Sequence, residues 1–213
     1  QTAQELLFVK LSVDRFDHIV SFLPECAKLA EIGCDHAKLT ERAFERGKCV
    51  RAVVSDISDK CLAKARETLA GREGVTFVTG DGITPESSDA DCLLICGMGG
   101  HAIRDMLSRY VGSATLVLSP QSHAELVREA LLGMGYAIDA DECFKADGKY
   151  YDVLRAVRGA QSLTDLQIRY GVFYKTKNAA LREKLEMRLA ALERGGERNA
   201  ARMREVREVL SWQ

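Results

Sequence analysis

No stretch of this 213-residue sequence approaches the ~20 consecutive apolar residues that a membrane-spanning helix needs. The first residues also lack the order of basic, apolar and small residues that marks a secretory signal. Both absences predict a cytoplasmic protein with no membrane partner, and no stable protein partner is implied. With 46% hydrophobic and 29% charged residues, the chain can build one core and a small appendage.

The sequence contains no CxxC pair of the kind that zinc sites use. Its seven cysteines are odd in number and scattered through apolar runs. Free cysteines in such runs behave as small hydrophobic residues, and a reducing compartment keeps them as thiols. We therefore predict buried free thiols and no metal site.

Strand signals are missing beyond Gly159, whereas they recur at short intervals before it. Apolar runs of four to seven residues, beginning with Cys26 to Ile32, alternate with helical stretches of about three turns, which indicates βαβ units and a parallel sheet. Residues 136–144 and 149–157 flank Asp147-Gly148, a hairpin signal. Five parallel strands closed by an antiparallel pair predict an α/β fold, the Rossmann-like, mostly parallel seven-stranded sheet of class I S-adenosylmethionine-dependent methyltransferases.

Helices are predicted at both ends of the chain. A leading helix covers Leu6 to Leu23 and is stopped by Pro24. Near the other end, apolar residues at helical spacing mark two long amphipathic helices around Gly195-Gly196, which form an antiparallel, coiled-coil-like hairpin. We therefore predict a cofactor-binding domain over residues 1–159 and a helical domain over residues 160–213.

Charge is segregated along the chain although the net charge is only −1. From Arg155 onward the balance is +6, and before it the balance is −7. A basic appendage on an acidic body suits a polyanionic partner. The alternative, equally compatible with composition, is that these lysines and arginines only solvate the outer faces of helices.

Four predicted strands end in acidic or glycine-rich loops, where open α/β sheets bind ligands. Carboxylates there can accept hydrogen bonds from the amine and hydroxyl groups of a nucleoside, and glycines let the backbone approach a ligand closely. For Gly80-Asp81-Gly82 a plain turn is the alternative, and for Gly97-Met98-Gly99-Gly100 a tight strand-to-helix turn. The predicted cofactor-binding residues are Glu31, Gly33, Cys34, Asp35, Asp56, Ile57, Asp81, Gly82, Gly97, Met98 and Gly99.

The first of these loops disfavours a dinucleotide enzyme. A phosphate-binding loop follows G-x-G-x-x-G, but the positions after Gly33 hold Asp35 and Lys38. Asp35 would repel a pyrophosphate, whereas S-adenosylmethionine carries a sulfonium and an ammonium and no phosphate. An acidic pocket therefore matches that cationic cofactor better.

These residues resemble a known family, the bacterial tRNA (adenine-22-N1)-methyltransferases called TrmK. The resemblance rests on Gly33-x-Asp35-His36-Ala37, the two glycine loops, Pro120 and the segment from Asp147 to Leu154, and it extends over nearly the whole chain. This sequence departs from the family where Lys38 and Thr40 replace a tyrosine and a proline, and where Ser119-Pro120-Gln121 stands for Gln-Pro-Asn.

The resemblance implies transfer of a methyl group from S-adenosylmethionine to N1 of adenine 22 of tRNA. The candidate residues for the target-base pocket are Asp35, His36, Met98, Pro120 and Gln121. The helical residues 160–213 would then bind tRNA, with phosphate contacts from Arg182, Arg188, Arg198, Arg202, Arg204 and Arg207. Methylation of another RNA site or of a small molecule, and a non-catalytic cofactor- or RNA-binding module, are the alternatives.

Overall fold

The computed structural model describes residues 14–213. Its centre is one seven-stranded sheet in the order β3-β2-β1-β4-β5-β7-β6. The first five strands are parallel, and β7 runs antiparallel to both of its neighbours. This arrangement confirms the predicted fold class. The strands are β1 Cys26–Ile32, β2 Cys49–Asp56, β3 Val75–Thr79, β4 Cys92–Cys96, β5 Thr115–Ser119, β6 Tyr136–Ala146 and β7 Lys149–Arg158.

Helices connect the parallel strands and follow the sheet. Within residues 14–213 the predicted leading helix covers Arg15–Ser21 and ends two residues short of Leu23; residues 6–13 of that prediction lie outside the described part of the chain. The predicted pair of C-terminal helices is confirmed, and a short helix before it was not predicted. The helices are α1 Arg15–Ser21, α2 Lys38–Glu45, α3 Asp59–Thr68, α4 Gly100–Leu107, α5 Ala124–Gly133, α6 Asp165–Tyr170, α7 Ala179–Arg194 and α8 Ala200–Leu210.

The order of the sheet reverses at β1, which pairs with β2 on one side and β4 on the other. The chain after β1 and the chain after β4 therefore leave in opposite directions, and a crevice opens at the carboxyl ends of these two strands. Buried aliphatic side chains from both faces of the sheet, among them Leu29, Leu93 and Leu116, hold this frame rigid. The sheet thus positions the four loops predicted to bind a ligand along one edge.

The antiparallel end of the sheet turns at Asp147 and Gly148. Both have positive φ, 48° and 74°, as a two-residue hairpin turn of the predicted kind requires. The strand β7 returns beside β5, where the Ser119 hydroxyl donates to the Asp152 carbonyl at 2.9 Å. The first residues of β7 therefore reach the same edge of the sheet as the carboxyl ends of the parallel strands.

The C-terminal helices pack on the β6–β7 hairpin through an apolar cluster of their own, which includes Leu181, Leu185, Val206 and Val209. Ion pairs also join α5 to β6 and α7 to β7. Arg128 of α5 binds Asp141 of β6 through two hydrogen bonds of 2.8 and 2.9 Å in a fully buried position. At the end of the sheet that carries the ligand loops, Lys184 of α7 donates to Asp152 at 2.7 Å.

All seven cysteines are free thiols, as predicted. Four are buried and three, Cys26, Cys61 and Cys96, are half-buried. Within residues 14–213, no group of three or more histidine, cysteine, aspartate or glutamate side chains is arranged to hold a metal ion. The same part of the chain contains no helix with the length and apolar character required to cross a bilayer.

Candidate active site

A cavity of about 750 Å³ opens where the parallel strands end. Its wall is built from the loops after β1, β2, β3, β4 and β5, and it is completed by α1, α4 and the start of β7. Pockets of roughly 300–1,000 Å³ are typical of small-molecule and cofactor sites. The cavity follows the edge of the sheet from the end of β3 to β7, so it has room for two ligands side by side.

Glu31, the last but one residue of β1, brings a buried carboxyl group to the cavity wall. Its Oε2 accepts hydrogen bonds from the backbone N–H of Thr40 at 3.1 Å and from the Thr40 hydroxyl at 2.5 Å. Burial raises the pKa of Glu31 to about 7, although the two bonds from Thr40 act in the opposite direction. Glu31 therefore holds its proton to a higher pH than an exposed carboxyl group, and a cation in the cavity would favour its charged form.

Asp56 fixes the loop that follows β1. Its Oδ2 accepts from the Asp35 backbone N–H at 3.1 Å, and its Oδ1 accepts from the Ser58 N–H at 2.9 Å. Asp35 and Ala37 both have left-handed backbone conformations, with φ of 46° and 53°. Such conformations are costly for residues other than glycine and cluster at functional sites. The exposed Asp35 side chain is thereby held at the cavity mouth.

The loops after β2 and β3 form the end of the cavity whose residue types suit a nucleoside. Ile57 directly follows Asp56 and is 71% exposed, so its apolar side chain offers a free surface for a planar ring. Asp81 is exposed beside the buried Gly82, whose φ of 81° requires glycine. The carboxyl groups of Asp56 and Asp81 and the apolar side chain of Ile57 thus line the same cavity.

The glycine-rich loop after β4 lies in the middle of the cavity wall. Gly97 has a φ of 79° and open space where a side chain would be. A Cβ on Gly33 would lie 2.0 Å from the Met98 Cε, so the end of the Met98 side chain fills the space beside Gly33. The Met98 carbonyl accepts from the Gln121 N–H at 2.8 Å, which joins this loop to the one after β5.

The cavity brings together most of the residues that the sequence predicted. All predicted cofactor-binding residues except Gly99 line it, as do the target-base candidates Asp35, His36, Met98 and Gln121. Among residues 14–213, Gly99 and Pro120 are the predicted residues that do not line it. Gly99 is the N-cap of α4, and Pro120 is buried between Ser119 and Gln121.

Sequence reasoning missed the wall formed by α1 and β7. Arg15, Phe16 and Ile19 of α1 and Tyr151 of β7 line the cavity. The sequence predicts the leading helix and the strand that contains Tyr151. The periodicity of these segments does not show which face of α1 turns toward the strand ends. His36 was predicted, and its Nε2 lies 3.0 Å from the Lys64 Nζ, a contact that the sequence did not indicate.

The six arginines predicted to bind RNA are all exposed on or beside α7 and α8. Two of them are ion-paired at 2.9 Å, Arg182 with Glu186 and Arg207 with Glu193. Arg188 lies over the ring of Tyr170. For Arg198, Arg202 and Arg204 no ion pair is formed within the described residues 14–213. The local electrostatics therefore leave these three most available for phosphate groups.

The residues of the cavity fit S-adenosylmethionine. Its cationic groups and ribose suit a wall that carries Glu31, Asp35, Asp56 and Asp81. Gly97 leaves open space at this wall, since a Cβ there would meet nothing within 4 Å. When bound there, the cofactor supplies a methyl group on a sulfonium.

Comparison with known proteins agrees with this geometry. A family model described as "Methyltransferase domain" matches residues 12–154. The tRNA (adenine(22)-N(1))-methyltransferase of Bacillus subtilis strain 168 is 32% identical over 159 residues, which cover 71% of this chain and 66% of that enzyme. The chain thus spans slightly less than two thirds of the length of this relative.

Two solved structures extend the likeness to the C-terminal helices. The crystal structure of the B. subtilis M1A22 tRNA methyltransferase TrmK has a TM-score of 0.82 at 28% identity and covers 94% of this chain and 99% of its own. That of M. capricolum TrmK, in complex with S-adenosylhomocysteine, has a TM-score of 0.83 at 19% identity and covers 93% and 97%.

The strand order, the acidic and glycine-rich strand ends and the family match define a class I methyltransferase. Within that class the chain belongs to the TrmK family, as its resemblance in sequence predicted.

Proposed function

We propose that this protein transfers the methyl group of S-adenosylmethionine to N1 of adenine 22 in tRNA. The observation that carries the proposal is one continuous cavity. Its acidic end, at the loops after β1, β2 and β3, suits a nucleoside, and its other end lies at β5 and β7. The B. subtilis relative, named for this reaction, supports the choice of substrate. A tRNA substrate agrees with the expectation of a cytoplasmic protein.

The acidic end of the cavity holds the cofactor in this proposal. Asp56 accepts hydrogen bonds from the ribose hydroxyls, Ile57 covers one face of the adenine, and Asp81 accepts from its exocyclic amine. Glu31 and Asp35 attract the cationic amino acid part. Gly33, Cys34, Gly82, Gly97 and Met98 line the cavity along the ligand, and Gly99 caps α4 directly after them.

The transfer itself needs alignment more than a strong base. N1 of neutral adenine has an in-plane lone pair, which forms the new N–C bond while the C–S bond breaks and leaves a neutral thioether. Adenine becomes a cation in this step. Asp35 at the cavity mouth stabilises that charge, and His36, Met98 and Gln121 position the base, with Pro120 shaping the loop.

The N1 atom lies on the Watson–Crick edge, so the adenine must leave its stack, at a cost of a few kcal/mol. The body of the tRNA offsets this cost through phosphate contacts with the helical residues 160–213. We assign these contacts to the six exposed arginines of this region. They fix the position of the tRNA and read little of its sequence.

The proposal is tested by incubating the pure protein with labelled S-adenosylmethionine and unmodified tRNA transcripts that carry adenine or guanine at position 22. We expect label on the adenine transcript alone. If neither transcript is labelled while calorimetry shows cofactor binding, the proposal is wrong, and the substrate is another RNA site or a small molecule.

A further inference from the structure

Two aromatic side chains, one from a helix and one from a strand, line the cavity. Phe16 comes from α1 and Tyr151 from β7, and both are half-buried with part of each ring facing the cavity. Tyr151 is backed by Phe144, with ring centroids 5.4 Å apart and planes inclined by 26°. This stacking fixes the plane of the Tyr151 ring and leaves its other surface for the cavity.

A planar cation already rests on these rings. The Arg15 guanidinium carbon lies 4.6 Å from the centroid of the Phe16 ring and 5.4 Å from that of the Tyr151 ring. A guanidinium group is flat and stacks on aromatic faces as a nucleobase does. Both rings are therefore accessible to one flat group from the cavity side.

The position along the sheet separates these rings from the cofactor end. Asp81, Asp56 and Gly33 follow β3, β2 and β1, and Gly97 follows β4, whereas Tyr151 lies on β7, two strands beyond β4. The Ser119–Asp152 hydrogen bond holds this part of β7 against the end of β5. A base stacked on Tyr151 therefore lies beside the loop that contains Met98 and Gln121.

We infer that Phe16 and Tyr151 are the stacking platform for the target adenine, and that Arg15 covers this platform until the base enters. This inference rests on the proposed function. It identifies Phe16 and Tyr151 as the residues that select a purine base turned out of its stack. Arg15 leaves the ring faces as the adenine arrives, which frees its guanidinium for a phosphate of the same RNA.

The chemistry of the reaction favours aromatic faces at this place. The electron-rich face of a tyrosine or phenylalanine attracts a cation, and adenine acquires a full positive charge as N1 is methylated. The platform therefore binds the product-like transition state more strongly than the neutral base, and its loss lowers kcat as well as raising KM.

The test uses the full chain with tRNA transcript and S-adenosylmethionine and compares Tyr151→Ala, Tyr151→Phe and Phe16→Leu. We expect kcat/KM for tRNA to fall roughly 5- to 150-fold in Tyr151→Ala, the range of base–aromatic stacking. Tyr151→Phe should recover most of this loss because it keeps the ring. The dissociation constant of the cofactor, measured by calorimetry, should stay within about twofold of wild type in all three.

Phe22→Leu is the matched control for Phe16→Leu, since Phe22 lies just after the same helix but does not line the cavity. Its kcat/KM should remain at the wild-type value. Wild-type turnover in Tyr151→Ala, or a loss that Tyr151→Phe fails to recover, would overturn the inference alone. No methyl transfer to tRNA by the wild-type protein would overturn the proposed function, and this inference with it.

Discussion

Glu31 shows how a single residue connects the fold to the chemistry of the cavity. It is buried, it accepts two hydrogen bonds from Thr40, and its pKa is raised to about 7 by burial. In the unfolded chain the same carboxyl group has a pKa near its ordinary value of about 4.3. The folded protein therefore holds a proton that the unfolded chain releases between these two pH values.

This difference predicts a pH dependence of stability in the ligand-free protein. The contribution of Glu31 is fully present below its unfolded pKa and is lost as pH rises through about 7. Glu31→Gln removes this titration. The free energy of unfolding of the variant minus that of wild type should therefore increase by about 3 kcal/mol between pH 4.5 and 8. Urea unfolding of both proteins at several pH values measures this, and a constant difference would contradict the account.

Gly100 illustrates a glycine required by close packing. A Cβ at this position would lie 2.1 Å from the His123 carbonyl oxygen, which belongs to the backbone and cannot move aside cheaply. We expect Gly100→Ala to lower the free energy of unfolding by roughly 1–3 kcal/mol. Gly133→Ala is the control, since it meets nothing within 4 Å and should leave thermal stability unchanged or slightly raised. Equal effects of the two substitutions would refute the packing argument.

The acidic and glycine residues of the strand ends could be predicted because their positions follow from strand boundaries alone. Phe16 and Tyr151 could not, because their place in the cavity depends on how α1 covers the sheet and how β7 aligns with β5. The role of Thr40 was missed for a similar reason. Its contact with Glu31 joins the first turn of α2 to the end of β1.

At the scale of elements, the alternation of strand and helix patterns was sufficient to predict the sheet, and apolar residues at helical spacing beyond Gly159 predicted the C-terminal helices. The short α6 was missed although a local signal exists. Thr164 and Gln167 form a capping box, in which the Thr164 hydroxyl accepts from the Gln167 N–H at 3.3 Å and the Gln167 side chain accepts from the Thr164 N–H at 3.0 Å. A helix of only six residues is too short to show a clear helical periodicity in the sequence.

The exposed arginines near α8 give a prediction at this scale. The triple substitution of Arg198, Arg202 and Arg204 by glutamine should weaken tRNA binding and make its dependence on salt shallower. The slope should fall by up to about one unit for each of these arginines that binds a phosphate in the wild-type complex. Filter binding at several salt concentrations measures both effects.

Arg66→Gln with Arg72→Gln is the control for this triple variant. Both residues are exposed on the β3 side of the sheet, away from β6 and β7. Their guanidinium groups lie over the rings of Phe77 and Phe44. The control should keep wild-type affinity. Wild-type affinity in the triple variant would instead show that these arginines only solvate the helix surface.

In the whole molecule, the acidic and the basic parts of the sequence form different parts of the fold. The acidic part of the chain forms the sheet and its cavity, and the basic part forms the helices that pack on β6 and β7. Lys184 and Asp152 connect the two beside Tyr151. We therefore propose that residues 160–213 hold the tRNA body while the cavity receives one of its adenines.

In the proposed function, the cavity aligns N1 of one adenine with the methyl group of the cofactor. The most direct test is nucleoside mass spectrometry of a tRNA transcript after reaction, combined with mapping of the modified position. We expect N1-methyladenosine at position 22 and unmodified adenine elsewhere. N6-methyladenosine, or a methyl group on another nucleotide, would contradict it.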